Sequence, residues 1–140
     1  MAIALECIFA FPSRKIFFKE VRKNLKPGGK LIVVDFLIND KINNLWQKLE
    51  TRVLNHLITD TYGSKATQNI NFISLRDYQE IAQNTGFQLE KVVNINKNVQ
   101  PTYPVINKLI VKSFSDWITA TGLEYFSLSD LISYEILVFQ

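Results

Sequence analysis

LKPGGKLIVVDF, residues 25–36, decides how the rest of this 140-residue chain is read. The proline cannot continue a helix, and the glycines tolerate the turn that follows it. Leu31, Ile32, Val33 and Val34 then run without alternation and close on Asp35 and Phe36. A strand of that kind predicts burial on both faces, in a parallel sheet flanked by helices.

Upstream, Phe18, Val21 and Leu25 recur at i, i+3 and i+7, so residues 14–26 read as a helix opened by Pro12 and Ser13. Residues 1–6 read as a short buried strand before it. Downstream, Leu45, Leu49, Val53 and Leu57 predict a helix over 41–58, followed by a polar, turn-like stretch at 59–71. Ser74 and Asp77 have the spacing of a helix start, Tyr78, Ile81, Ala82 and Thr85 continue it, and Gly86 is a natural stop. Phe87, Leu89, Val93 and Ile95 alternate, which predicts a strand exposed on one face.

Residues 96–104, with Pro101 and Pro104, read as a loop. A helix over 105–121, a helical turn at 128–132 and a last strand at 134–139 complete the chain. The order is β-α-β-α-α-β-α-β in a single unit, residues 1–140, of α/β class with mixed sheet connectivity. Its first strand lacks a neighbour on one side unless another chain supplies one, and a bare apolar edge invites pairing.

Composition narrows the chemistry. A formal charge of +3 with interspersed signs is mildly basic, and no stretch carries the dense Lys/Arg run of a nucleic-acid or membrane-surface patch. No window reaches the roughly 18 apolar residues of a membrane span. A leading stretch interrupted by Glu6, without a basic n-region, does not read as a signal peptide, so the cytoplasm is the default. One cysteine, Cys7, and one histidine, His56, leave no intrachain disulfide and no Cys/His metal cluster.

Several segments together resemble the class I S-adenosylmethionine-dependent methyltransferases, in particular their small-molecule branch. They are ALECIFAFPSR at 4–14, LKPGG before a strand ending in Asp35, SLRDYQEIAQNTGFQLEKVVNI at 74–95, QPTYPVINKL at 100–109 and YEILVF at 134–139. The resemblance implies the C-terminal half of a Rossmann-like sheet, with helices on both faces and an antiparallel last strand. It leaves the family's first three strands, Gly-rich cofactor loop and ribose-binding acid without a counterpart here. The cofactor it implies is S-adenosylmethionine and the partner a small organic acceptor, with no metal, no nucleic acid and no membrane.

By the same resemblance Ala4, Leu5 and Glu6 lie beside the cofactor, Asp35 is the catalytic candidate, and Phe36 and Tyr103 line the acceptor. Many relatives carry histidine where this chain has Ala10, which cannot take a proton. Two arrangements follow. A missing N-terminal half completes an enzyme that the isolated chain cannot be, or the chain is a non-catalytic remnant or small α/β binding module, with a strand-paired homodimer among the expected partners.

Overall fold

The computed structural model describes residues 1–39, 49, 52, 53, 72–110 and 114–140. Its elements are β1 (Ala2–Leu5), a 3-10 turn (Ile8–Ala10), α1 (Arg14–Asn24), β2 (Leu31–Ile38), β3 (Ile73–Ser74) and α2 (Leu75–Gln83). There follow β4 (Leu89–Asn94), α3 (Asn96–Val99), α4 (Thr102–Ile110), α5 (Phe114–Leu128) and β5 (Ile132–Phe139). Of the helix expected over 41–58, residues 49, 52 and 53 are described, all helical. The remainder, with the stretch at 59–71 and His56, lies outside the described residues.

The sheet runs β1-β2-β5-β4, with β3 on the end of β2. β1 pairs β2 in parallel, and β5 is antiparallel to both β2 and β4. The mixed α/β sheet with an antiparallel last strand is therefore as expected. Among the described residues β1 stands at the sheet's edge.

Local chemistry explains the joints. The Ser13 hydroxyl accepts from the Ile16 amide at 3.3 Å and starts α1, while Ser74 and Asp77 bond each other's backbone in a reciprocal cap that starts α2. After α1, Gly28 takes φ +72°, and a Cβ on Gly29 would lie 2.8 Å from the Lys26 carbonyl oxygen. That close backbone approach is why the turn into β2 requires glycine.

β2 departs from the expectation of burial on both faces. Leu31, Val33, Asp35 and Leu37 are fully buried, whereas Ile32, Val34, Phe36 and Ile38 are half-buried. On the first face α1 and α2 close over Ala4, Ile8, Leu31, Val33, Leu37, Tyr78, Leu137 and Phe139. Phe18 sits at 0% exposure in the middle, with ring centroids 5.2 Å from Phe139 and 5.7 Å from Phe87. On the second face, among the described residues, Phe72, Phe126, Leu131 and Ile132 pack against Phe36 and Ile38. Farther along that face Ile3 and Leu5 are each 62% exposed, opposite Ile32 and Val34 in the register.

Two expectations are corrected here. The loop at 96–104 is helical for most of its length, because the Asn94 side chain accepts from the Asn96 amide at 3.0 Å and starts α3. Pro104 lies in the first turn of α4, where its missing N–H has no intrahelical partner to lose. The helix at 105–121 is described as α4 and α5, and α5 runs on to Leu128. Among the described residues no helix is long and apolar enough to cross a membrane.

Candidate functional site

In an open α/β sheet, ligands sit outside the carboxyl ends of the parallel strands. Here that edge holds the ends of β1 and β2 and the beginning of the antiparallel β5. Glu6 follows β1 directly and adopts φ +45°, a left-handed conformation that side chains other than glycine rarely take. Such conformations persist where surrounding contacts hold them, often at working sites. The contact in this case is long-range: the Tyr134 hydroxyl, from β5, donates to Glu6 Oε1. Burial, and then the Glu6 carboxylate, push the Tyr134 phenol well above its ordinary pKa.

Tyr103, in α4, joins the same neighbourhood. It is 6% exposed, and its hydroxyl is buried with no hydrogen-bond partner among the described residues. Burial raises its pKa and the Glu6 carboxylate adds to the rise; Ser127 stands close enough to lower it without reaching hydrogen-bond geometry. Ser127 is otherwise committed, donating to Asn96 Oδ1 at 2.9 Å and accepting the Asn96 side-chain amide on its carbonyl at 3.0 Å. That buried exchange ties α3 to the end of α5.

Phe36 supplies the apolar wall. Its ring centroid lies 4.5 Å from that of Tyr134 and 5.7 Å from that of Phe72. Leu5 presents an exposed side chain beside Glu6, whereas Ala4 turns into the helix-covered core at 3% exposure. Ala4 pairs with Val33 one residue before the end of β1.

Asp35 is placed differently from its neighbour Phe36. Side chains alternate along a strand, so Phe36 takes the open side and Asp35 the helix-covered side, at 1% exposure. Its Oδ2 accepts the Tyr78 hydroxyl at 2.5 Å, and its Oδ1 accepts the Phe36 amide at 2.9 Å. Burial raises the Asp35 pKa, opposed by the Tyr78 bond, the Arg14 charge and the Phe36 amide. Burial and the Asp35 carboxylate hold the Tyr78 phenol far above its usual range.

The structure thus brings Glu6, Leu5, Phe36 and Tyr103 to one edge and sets Asp35 beneath it. Sequence reasoning missed Tyr134 and Tyr78. Tyr134 is 128 residues from Glu6, and a tyrosine on an alternating strand carries no local signal that its hydroxyl will meet a carboxylate.

Against known proteins, a family model described as a methyltransferase domain matches residues 1–92. No curated protein sequence matches the chain. Among solved structures, the geranyl diphosphate C-methyltransferase of Streptomyces coelicolor, crystallised with Mg2+, geranyl diphosphate and S-adenosyl-L-homocysteine, superposes with a TM-score of 0.75 at 12% identity. That match covers 99% of this chain and 45% of the other. A cyclopropane synthase from Mycobacterium tuberculosis gives 0.75 at 14% identity, over 98% of this chain and 53% of the other. The O-methyltransferase of a trans-AT polyketide synthase from Brevibacillus brevis, with S-adenosyl-L-homocysteine, gives 0.64 at 11%, over 99% and 42%. These likenesses establish the fold, and the chain spans about half the length of the structures it matches.

Proposed function

Because the chain belongs to the methyltransferase-domain family, we propose that it takes part in methyl transfer from S-adenosylmethionine to a small organic acceptor, at the edge formed by Glu6, Phe36, Tyr103 and Tyr134. The observation that carries the site is the Tyr134–Glu6 hydrogen bond at a backbone held in the left-handed region. The exposed Glu6 carboxylate suits a cationic cofactor, and the residues that would hold it are Ala4 through its backbone, Leu5 and Glu6. When bound, that cofactor supplies an electrophilic methyl group on a positively charged sulfur.

The chain's own residues align, shield and accept a proton. Methyl displacement is an in-line reaction, so alignment and exclusion of water provide most of the protein's contribution. Phe36, packed against Tyr134 and Phe72, walls the acceptor from water. Tyr134 occupies one oxygen of Glu6 and leaves Oε2 to accept the proton an acceptor gives up. The unpartnered Tyr103 hydroxyl hydrogen-bonds a polar acceptor atom. Asp35 serves the reaction from beneath as a positioning residue, fixing the Phe36 amide while Tyr78 holds its other oxygen.

The exposed Ile3 and Leu5 beside Ile32 and Val34 support a further point: the isolated chain is not competent, and a methyltransferase N-terminal half laid along β1 completes the site. The same exposure favours a second reading, a non-catalytic binding module that pairs edge to edge with a second copy through β1.

The test is methyl transfer from methyl-labelled S-adenosylmethionine to a panel of phenols, amines and carboxylic acids, by the chain alone and co-expressed with such a half. Transfer only in the assembled protein, lost in Glu6→Gln, is the expected result. No cofactor binding in either preparation, with a β1-dependent dimer in solution, would replace catalysis by the second reading.

A further inference from the structure

Residues 14–30 hold seven cationic side chains and a single carboxylate, Glu20. Seven cations less one carboxylate leave +6 on that segment, against +3 for the whole chain, so the remainder carries −3. In sequence no more than two of these cations are adjacent. The helix gathers them. Phe17, Phe18 and Val21 turn α1 inward, and Lys15, Lys19 and Lys23, at i, i+4 and i+8, line its exposed side with Lys26 just beyond its end. Lys23 pairs with Glu20 at 2.6 Å on the surface. Lys15, Lys19 and Lys26 make no ion pair among the described residues.

Apolar groups stand among these charges. Ile16 is 62% exposed between Lys15 and Lys19, and Phe11, 40% exposed, is held at the head of the helix by stacking on Phe17 at 5.0 Å. Pro12, also exposed, lies between Phe11 and the helix cap.

We infer that this face of α1 docks on an anionic phospholipid bilayer. Lysines along the ridge would meet lipid phosphates and carboxylates, each strengthening binding by about fivefold near an anionic surface. Ile16, the exposed apolar side chain on the lysine side of the helix, would enter the boundary between headgroups and acyl chains, as the apolar side chains of interfacial helices do. A nucleic-acid partner would reward the lysines and gain nothing from Ile16, which is why the bilayer is the better fit. The contribution of the lysines falls with salt, because their interactions are exposed to screening.

Co-sedimentation of the full chain with phosphatidylcholine vesicles, with and without roughly one-third phosphatidylserine, tests this. Binding is expected only to the anionic vesicles and weakens steeply as salt is raised. The triple variant K15Q/K19Q/K23Q weakens it on the order of a hundredfold, and I16S alone weakens it about tenfold. K97E, on α3 and also exposed, leaves it unchanged. Circular dichroism checks that each variant keeps its fold, which substitutions at exposed positions should allow. Equal binding to neutral vesicles, an equal loss in K97E, or binding to single-stranded RNA but not to vesicles, insensitive to I16S, would overturn the inference.

Discussion

Tyr78→Phe isolates the bond that anchors the floor of the site. The tyrosine is fully buried, its hydroxyl donates to Asp35 Oδ2 at 2.5 Å, and Asp35 is 1% exposed. Phenylalanine keeps the ring and its contacts with Phe18 and Phe139, so the substitution removes a hydrogen bond without opening a cavity. Hydrogen bonds to a charged partner contribute about 1.5–3 kcal/mol, and the stranded carboxylate oxygen adds its own desolvation cost. We expect a loss of about 2–3 kcal/mol at neutral pH, or roughly 10 °C in Tm at about 4 °C per kcal/mol for a chain of this length.

The loss depends on pH, and the sign follows from the burial that raises Asp35. Where Asp35 is ionised in the native state, the variant leaves a buried charge with one bond instead of two. Below its native pKa the group is neutral in both proteins, and the difference falls to that of a neutral hydrogen bond, about 1 kcal/mol. Urea denaturation of both proteins between pH 4 and 7, with Asp35→Asn and the double variant completing a cycle, measures this. A loss below about 0.5 kcal/mol at neutral pH, or one that does not change with pH, would refute the pairing.

Three further outcomes are expected. Gly29→Ala places a Cβ 2.8 Å from the Lys26 carbonyl and should destabilise the chain by about 1–3 kcal/mol in thermal melts, while an alanine at exposed Lys26 changes little. Phe18→Ala empties the centre of the helix-covered core and should cost about 3–5 kcal/mol by denaturant titration. Tyr78 and Tyr134 both have pKa values raised above the ordinary 10.0, so the folded state keeps protons that the unfolded state gives up. Their contribution is complete below about pH 10 and is lost as pH rises beyond it; ultraviolet titration of the folded protein should show these two phenols ionising only with unfolding.

Much of the framework was legible because it rests on local rules. The apolar run at 31–34, the Pro-Gly-Gly turn before it and the Ser74/Asp77 cap each act within a few residues, and each appears where the pattern put it. The helices at 96–110 were harder to read, since prolines suggest a loop until one sees that Pro104 occupies a first turn where no N–H is needed. Pattern also overstated the burial of β2: an unbroken apolar run says that both faces are apolar, not that something covers both.

The sequence by itself determined the α/β class, the turn chemistry, the family likeness and a site list containing Glu6, Leu5, Phe36 and Tyr103. Only the tertiary structure decided that Asp35 turns inward to Tyr78 while Phe36 turns outward, that Tyr134 reaches Glu6 across the sheet, and that scattered lysines form one ridge. The reason is one of range. Periodicity and capping are fixed by neighbours along the chain, whereas the partner of a buried hydroxyl or carboxylate is fixed by strand order and register. In this chain those registers join β1 to β2 and β2 to β5, and with them residues more than a hundred positions apart.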